Sequence, residues 1–248
     1  MNSIDQFPEA GASKALQQQR QDFMSVLKHK LKTPILGTRR ILSLLIEGAF
    51  GALNEQQLTV LAALHLDAEK LLVVTDNLVE IYSHQNGIKT LAIEAHQACL
   101  LVNPVIANYS AAARARGITF EKVGFSEPLL VECDGHEIQV LLENLIENAV
   151  EYARTKVTVS IEARDGRLNF LVADDGRGIA PEDQKTLFSR FYEVSSNGRY
   201  PATTGTGLCL CHEIAKAHGG SVSCHSSAKS QTVFCLSLPV SRHSGDEA

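Results

Sequence analysis

The sequence lacks the usual features of a membrane-bound, secreted or nucleic-acid-binding protein. No apolar run approaches the roughly 18 residues that a membrane-spanning helix needs. The first residues, MNSIDQFPEAG, lack the basic-then-apolar pattern of a signal peptide. The six cysteines form no CxxC pair, so reduced, mostly buried thiols in the cytoplasm are expected. The net charge of -5 excludes a molecule-wide electrostatic attraction to nucleic acid.

The composition is that of a globular protein with a substantial core. Hydrophobic residues make up 44% and charged residues 21% of the 248 positions, which leaves room for one large domain or two small ones. Helical periodicity dominates before Asn86-Gly87, and strand-like alternation enters after it. We therefore predict four segments: a flexible leader over 1–12, a helical hairpin over 13–87, a mixed domain over 88–240 and a polar tail over 241–248.

The first region predicts two long antiparallel helices. One covers about 13–47 and the other runs from a cap at Asn54 to about 84, with glycines 48 and 51 between them. Leu64, Leu71 and Leu78 recur every seven residues in the second helix, and the first helix carries a similar apolar stripe. Because a single hairpin cannot enclose both stripes, we predict a homodimer through residues 13–87 that forms a four-helix bundle.

The first helix also carries an exposed histidine. At about 100° per residue, its apolar stripe falls roughly 120° to 180° away from His29, so the imidazole should face solvent, with Thr33 one turn further along. From Phe23 to Ile46 the sequence has no acid and five basic residues, which predict a local positive field around the imidazole: Lys28, Lys30, Lys32, Arg39 and Arg40. A solvated face with an incidental histidine is the plainer interpretation. Pro34, which costs a helix interior about 3 kcal/mol, favours a functional one.

The second region predicts an α/β sandwich in which helices cover one face of a single, mixed and mainly antiparallel sheet. Strands are expected at about 118–123, 129–133, 156–163, 168–173, 221–225 and 232–238, and helices at about 100–116, 136–152, 182–188 and 208–218. The pair Asp165-Gly166 suits a tight hairpin turn. With the helical hairpin before it, the predicted fold class is α+β.

Three clusters in this region suit a nucleotide. Asn144 and Asn148 lie one turn apart opposite the apolar stripe of their helix, and an amide oxygen suits one position on a hydrated Mg²⁺. Asp174 begins the run DDGRGI after an apolar strand, where a buried carboxylate can accept from an amine such as that of adenine. The run GTGLCL from Gly205 opens a helix, a natural phosphate site, and 193–204 before it has the composition of a mobile lid. Taken singly, each cluster also fits a solvated helix face or a tight turn.

In this order, the clusters resemble the N, G1, F and G2 boxes of the ATPase domain of the sensor histidine kinases, with LFSRFYE as the F box. Upstream, FMSVLKHKLKTPI resembles the H box of that family and EGAFGALNEQQ its hairpin linker. The resemblance spans about residues 20–240. It implies a Bergerat-type ATP-binding fold of the GHKL superfamily behind a dimerisation and phosphotransfer hairpin. It also implies ATP and Mg²⁺ as cofactors and the receiver domain of a response regulator as partner.

The resemblance implies a role for individual residues. His29 would accept the γ-phosphoryl group and pass it to an aspartate of the regulator, Asn148 would bind Mg²⁺, and Asp174 would read adenine. The implied ATP site comprises Asn144, Asn148, Tyr152, Asp174, Gly176, Gly178, Ile179, Phe188, Phe191, Gly205, Thr206, Gly207 and Leu208. The two phenylalanines would anchor the lid.

Several positions bear on how active such a kinase would be. Lys30 replaces the acid that usually follows the phosphorylated histidine, and a protonated lysine has no acceptor, so slow autophosphorylation is expected. Thr33, at the position associated with hydrolysis of the phosphorylated regulator, is retained, which makes a phosphatase-biased protein an alternative. Cys209 replaces a glycine beside the phosphates and is expected to crowd them. Glu151 replaces a common lysine.

Two further interpretations stay open. The chain can be a catalytically weak dimeric adaptor that binds ATP and a regulator. A hydrolytic ATPase of the same superfamily is more remote, because those enzymes carry glutamate at the position of Asn144. No sensor is recognisable, so the signal is expected from a separate sensor protein or from a longer polypeptide. No direct contact with nucleic acid is expected.

Overall fold

The computed structural model describes residues 9–189, 205–227 and 231–240, with the backbone alone at 9–18 and 21. The chain divides into two compact units between Lys89 and Thr90, close to the boundary that the sequence predicts. The predicted tail and residues 1–8 of the predicted leader lie outside the described residues. Within the described part of the chain, no helix combines the length and the hydropathy that crossing a membrane requires.

The first unit is an antiparallel pair of long helices, α1 (Glu9–Ile46) and α2 (Glu55–Gln85). Asn54 caps α2: its side chain accepts from the N–H of Gln57 at 2.9 Å, and the Gln57 side chain accepts from the N–H of Asn54 at 2.9 Å. This reciprocal pair satisfies two N–H groups that the helix cannot pair internally. Gly48 and Gly51 turn the linker with φ angles of 79° and 121°, which side chains rarely tolerate.

One hairpin encloses only part of the predicted apolar seam. A buried cluster joins the two helices and the segment after them, and it consists of Met24, Val79 and Ile88 with Leu27 and Tyr82 against it. By contrast, Leu64 and Leu71 of the leucine heptad are 48% and 55% exposed. The α1 helix continues through Pro34. A single chain therefore leaves part of the heptad stripe in contact with solvent.

The second unit contains two sheets. The strands are β1 (Glu94–Gln97), β2 (Thr119–Val123), β3 (Leu130–Cys133), β4 (Lys156–Arg164), β5 (Arg167–Asp174), β6 (Ser221–Ser226) and β7 (Thr232–Pro239). The larger sheet has the strand order β2-β4-β5-β7-β6, in which β2 and β4 are parallel and the other neighbours antiparallel. The smaller sheet pairs β1 with β3 in antiparallel fashion. The predicted mixed, mainly antiparallel sheet is confirmed, whereas the prediction of a single sheet was wrong.

The helices of the second unit are α3 (Ala98–Ala115), α4 (Gly135–Tyr152), α5 (Pro181–Gln184) and α6 (Gly207–Ala217). The core lies where the apolar stripe of α4 meets alternate residues of β5. Its fully buried members include Ile138, Leu141, Leu145, Leu168, Phe170 and Val172. The intervening side chains of β5 up to Leu171 are only half-buried, as expected for a sheet with helices on one face. The α4 helix packs against α3, α6 and β5, so it occupies the centre of the unit.

Turn chemistry explains where the elements begin and end. Asp165 and Gly166 have φ angles of 53° and 70°, so both residues of the β4–β5 hairpin turn are left-handed, as a type I′ turn requires. The α5 helix ends at Gln184, shorter than the predicted 182–188, and Leu187 and Phe188 lie in the turns after it. The β1 strand was not predicted, because the sequence EAHQ shows no apolar alternation.

Candidate functional site

Asp174 is a buried carboxylate at the end of β5. Its side chain is 3% exposed. Within the described part of the chain, the N–H of Gly176 is its hydrogen-bond donor, at 2.9 Å to Oδ1. Burial raises the pKa of the Asp174 carboxyl to about 6; the bond from Gly176 opposes this rise, and the charge of Asp175 adds to it. Among the described residues, the Oδ2 of this buried carboxylate therefore remains available to accept a hydrogen bond from a ligand.

Gly176 lies in close contact with the end of α4. A Cβ at this position would overlap the carbonyl oxygen of Tyr152 and meet the Asp174 Oδ1 at 2.5 Å. The guanidinium of Arg177 lies 5.4 Å from the centre of the Tyr152 ring, which is 36% exposed. Gly178 turns the chain with a φ of 72°. The glycines of DDGRGI thus place the Asp174 turn against the last residue of the helix.

Asp175 anchors the loop that follows α4. Its Oδ1 accepts from the backbone N–H groups of Arg154, Thr155 and Lys156 at 2.8, 3.0 and 3.1 Å. Although burial alone would raise it, these bonds and the Thr155 hydroxyl hold the pKa of Asp175 far below its usual range. No role was predicted for Asp175 from the sequence. The pair of consecutive aspartates was its only local feature, because the N–H groups that it accepts from lie about 20 residues away in sequence.

Asn144 brings the predicted phosphate loop against α4. Its side-chain N–H donates to the carbonyl of Val140 at 2.8 Å, and a Cβ on Gly207 would overlap its Oδ1. Gly205 is left-handed with a φ of 65°, and the Thr206 side chain is fully buried. The half-buried Asn148 lies one turn after Asn144, and Leu208 is the second residue of α6. Two of the predicted clusters therefore meet directly, at Asn144 and Gly207.

The end of DDGRGI and the segment after it are hydrogen-bonded to the end of β6. The Ile179 N–H donates to the Ser226 hydroxyl at 2.9 Å, and the Gln184 amide donates to the carbonyls of both Ile179 and Ser226. Phe188 packs at 6.3 Å from the His212 ring of α6 and edge-on, at 6.5 Å, against Phe234 of β7. Phe191 and the predicted lid, 193–204, lie outside the described residues.

His29 of the first unit is exposed on α1, as predicted, and so are Lys30 and Thr33. The Thr33 hydroxyl donates to the His29 carbonyl at 2.8 Å. Because Thr33 lies one turn later, this bond places its hydroxyl on the same side of the helix. The exposed face around His29 therefore presents an imidazole, an ammonium and a hydroxyl.

The basic stretch around His29 is partly neutralised by α2. Lys32 lies 2.6 Å and Lys28 3.8 Å from Asp76, and Lys28 also lies 3.3 Å from Glu80. Although burial opposes it, the ammonium groups of Lys89 and Lys28 hold the pKa of Glu80 below its usual range. The predicted positive field therefore needs correction. Two of its five cations face carboxylates that are about 50 residues away in sequence and could not be foreseen from local composition.

Comparisons with known proteins agree with this geometry. Residues 133–242 match the family described as histidine kinase-, DNA gyrase B-, and HSP90-like ATPase. This match covers most of the second unit. The sensor histidine kinase MtrB of Mycobacterium tuberculosis is 29% identical over 223 residues, covering 89% of this chain and 39% of MtrB. The alginate biosynthesis sensor protein KinB of Pseudomonas aeruginosa is 26% identical over 230 residues, covering 92% of this chain and 38% of KinB. Both similarities extend over about nine tenths of this chain.

Solved structures support the same fold. Full-length ShkA, crystallised with AMPPNP, superposes with a TM-score of 0.71 at 24% identity, covering 88% of this chain and 45% of ShkA. The Acinetobacter baumannii histidine kinase AdeS superposes with a TM-score of 0.63 at 24% identity, covering 86% of this chain and 98% of AdeS. The chain spans about two fifths of the length of the curated relatives MtrB and KinB.

Two departures from the histidine-kinase pattern have structural counterparts. Glu151 pairs with Arg116, whose guanidinium lies 2.6 Å from the carboxylate and also donates to the Glu151 carbonyl at 2.8 Å. A cation therefore lies at this end of α4 although the common lysine is absent, and it interacts favourably with the carbonyl end of the helix. Cys209 is 4% exposed, so the unit accommodates its side chain. Its predicted crowding of phosphates remains a prediction.

Proposed function

We propose that the chain is the kinase core of a two-component signalling protein. It binds ATP with Mg²⁺ in the second unit, phosphorylates His29 and passes the phosphoryl group to an aspartate in the receiver domain of a response regulator. The observation that carries the proposal is the meeting of three motif segments on one helix. Asp174 and Gly176 lie at the last residue of α4, and Gly207 touches Asn144 near its middle.

The residues of the second unit suit the two ends of ATP. The free oxygen of Asp174 accepts from the exocyclic amine of adenine, which gives the buried carboxylate a donor that the described residues do not supply. The N-terminus of α6, from Gly205 to Gly207, offers backbone N–H groups to the phosphates. Asn148 supplies an amide oxygen to Mg²⁺. The ion, when bound, neutralises charge on the transferring phosphoryl group.

His29 acts as the nucleophile because its ring is exposed and two partners must reach it in turn. A neutral ring nitrogen attacks the γ-phosphorus, the N–P bond forms, and the bond to the bridging oxygen breaks to release ADP. Lys30 offers no acceptor to the other ring nitrogen. The first step is therefore slow, and autophosphorylation limits the overall transfer.

The decisive assay is transfer of labelled γ-phosphate from ATP to the purified chain. We expect a label that is stable in alkali and labile in acid, absent from His29→Ala and retained by His225→Ala, a control at another exposed histidine. Lys30→Glu should raise the initial rate, because it restores an acceptor, whereas Lys30→Met removes the charge without supplying an acceptor and so separates the two effects. Label persisting in His29→Ala, or a rate lowered by Lys30→Glu, contradicts the proposal.

The exposed leucine stripe supports a homodimer through residues 13–87. Burying Leu64 and Leu71 against a second copy removes apolar surface that a single chain leaves at 48% and 55% exposure. Light scattering should give twice the chain mass for wild type and one chain mass for the double variant Leu64→Lys, Leu71→Lys. The charge reversal Asp67→Lys, at an exposed polar position of the same helix, should remain dimeric. A monomeric wild type would remove the dimer from the proposal.

A phosphatase-biased protein or a weakly catalytic ATP-binding adaptor is the second candidate. The observation in its favour is the exposed pair of Lys30, which impairs the forward step, and Thr33, which is associated with hydrolysis. ATP binding without histidine labelling supports this candidate. Loss of phosphate from a pre-phosphorylated regulator, abolished by Thr33→Ala, identifies the phosphatase. A hydrolytic ATPase remains a remote third candidate, because Asn144 offers no carboxylate to activate water.

A further inference from the structure

The ring of His218 joins two helices of the second unit. It caps the C-terminal end of α6, where Nδ1 lies 2.8 Å from the carbonyl of Ile214, one turn earlier. Its Nε2 lies 3.1 Å from the backbone N–H of Asp134. A backbone N–H can only donate and a carbonyl can only accept, so Nε2 is the unprotonated nitrogen and Nδ1 carries the proton. The partners therefore fix His218 as one neutral tautomer.

Asp134 is itself the N-cap residue of α4, immediately before Gly135. Its Oδ1 accepts from the N–H of Glu137 at 3.2 Å, which caps the helix, and its Oδ2 accepts from the N–H of Ala92 at 2.9 Å. The backbone N–H that donates to His218 therefore belongs to a residue whose side chain is held by two further hydrogen bonds. The ring links the last turn of α6 to the first residue before α4.

The α6 helix contacts α4 at three points along its length. Gly207 packs on Asn144 at its start, the Cys211 thiol lies 3.6 Å from the Leu141 carbonyl near its middle, and His218 bonds Asp134 at its end. Positions rise along α6 as they fall along α4, so the two helices are antiparallel and the contacts fix their axial register. His218 is the directional hydrogen bond farthest from the nucleotide residues.

The chain after His218 turns tightly against β7. Gly219 is left-handed with a φ of 65°. A Cβ on Gly220 would meet the Ser237 carbonyl oxygen at 2.5 Å and the Leu238 side chain at 2.8 Å. The turn after α6 therefore packs against β7, whereas the His218 ring bonds the end of α6 to the residue before α4.

We infer that His218 is a positioning residue for the proposed kinase reaction, on which this inference rests. By fixing the register of α6 against α4, it sets the distance between the phosphate-facing residues, Gly205 to Gly207, and the amides of Asn144 and Asn148. The residue touches neither nucleotide nor reacting atom. Its loss should disturb the phosphate side of the site and leave the adenine side, around Asp174, intact.

Two variants of the full chain separate the two bonds of the ring. His218→Asn keeps a short side chain that can donate to Ile214 but cannot reach Asp134. His218→Gln extends an amide oxygen to the position of Nε2 and can accept from the Asp134 N–H. Affinities for ATP and for adenosine, which lacks phosphates, are measured by calorimetry or competition. We expect His218→Asn to bind ATP about 5- to 10-fold more weakly, the loss of roughly one net hydrogen bond, with adenosine affinity unchanged and ATP affinity restored in His218→Gln.

Other outcomes overturn the inference. A folded His218→Asn variant that binds ATP as tightly as wild type refutes the positioning role. Equal losses for ATP and adenosine indicate a general structural defect, as does a thermal unfolding midpoint that falls equally for both variants. Failure of wild type to bind ATP refutes the proposed function instead, so the two failures are distinguishable.

Discussion

Replacing Asp174 with asparagine tests the nucleotide site through stability as well as binding. Asparagine keeps an oxygen for the Gly176 N–H and removes the buried negative charge. The carboxyl has a pKa of about 6 in the folded protein, against an ordinary value of 3.8. The ionised form is thus disfavoured by folding, and the wild-type protein bears that cost whenever the group is charged.

The size of this cost follows from the pKa difference. Between pH 3.8 and about 6 the folded state binds more protons than the unfolded state, so the free energy of unfolding falls as the pH rises through this window. Above pH 6 the accumulated cost is constant at about 3 kcal/mol, at 1.36 kcal/mol per pKa unit. Asparagine does not titrate. We therefore expect Asp174→Asn to be more stable than wild type by about 1–3 kcal/mol at pH 8, after allowing about 1 kcal/mol for a weaker neutral hydrogen bond.

Urea unfolding of the nucleotide-free protein, followed by circular dichroism, measures the difference. The advantage of Asp174→Asn should shrink to under about 1 kcal/mol, or reverse, near pH 4. At that pH the carboxyl of the folded wild type is almost fully protonated and that of the unfolded chain is roughly half protonated, so little of the cost remains. Glu182→Gln, at an exposed carboxylate of α5, is the matched control substitution. A stability difference that stays constant from pH 4 to pH 8 would refute the assignment of Asp174 as a destabilised buried carboxylate.

The same variant should lose adenine recognition. A carboxylate that accepts from the exocyclic amine contributes about 1.5–3 kcal/mol, so ATP should bind Asp174→Asn roughly 10- to 100-fold more weakly. A purine triphosphate that lacks the amine should bind wild type and variant with closely similar affinity. If the variant loses both nucleotides equally, Asp174 does not read the amine.

Two further predictions concern glycine and the second aspartate. Gly207→Ala should weaken ATP binding at least about 10-fold, because the added methyl group overlaps Asn144. The control Gly37→Ala, in an open helical position, should leave ATP binding unchanged and stabilise α1 by up to about 1 kcal/mol. Calorimetry measures the affinities and thermal unfolding the stabilities; unimpaired ATP binding by Gly207→Ala would show that the loop can move to accept the methyl group. Asp175→Ala should lower the free energy of unfolding by about 2 kcal/mol at pH 7, because three backbone N–H groups lose a charged acceptor. Since the folded pKa of Asp175 is depressed, its contribution is present above about pH 4 and declines below it, so an Asp175→Ala effect independent of pH would contradict this account.

The sequence predicted the elements whose signals are local. Asn54 caps α2 as predicted, and Asp165-Gly166 forms the hairpin turn that its composition favours. The β1 strand escaped prediction because its four residues gain strand structure only by pairing with β3. The α5 helix is shorter than expected because tertiary contacts hold the residues after it: Phe188 packs against His212 and Phe234 instead of extending a helix.

Charge pairing over long sequence distances was the main feature that sequence could not supply. The local sequence around His29 shows Lys28 and Lys32 without a neighbouring acid, but in the structure both pair with carboxylates of α2, Asp76 and Glu80. The same holds for Glu151, whose partner Arg116 precedes it by 35 residues. In both cases the charge that decides the local field belongs to another helix, and only its packing reveals the pair.

The α4 helix shows why the order of motifs carried more information than any one of them. Its own sequence fixes only that Asn144 and Asn148 share a face. The structure adds Gly176 at its end, Gly207 at Asn144 and His218 at its start, residues that follow the helix by 24 to 66 positions. Each of those contacts alone could be ordinary packing. Together, they place the Asp174 turn at one end of α4, the glycine loop at its amides and His218 at its N-cap, which is the arrangement that a nucleotide site requires. The His218 variants test whether the axial register of α6 against α4 matters for that site.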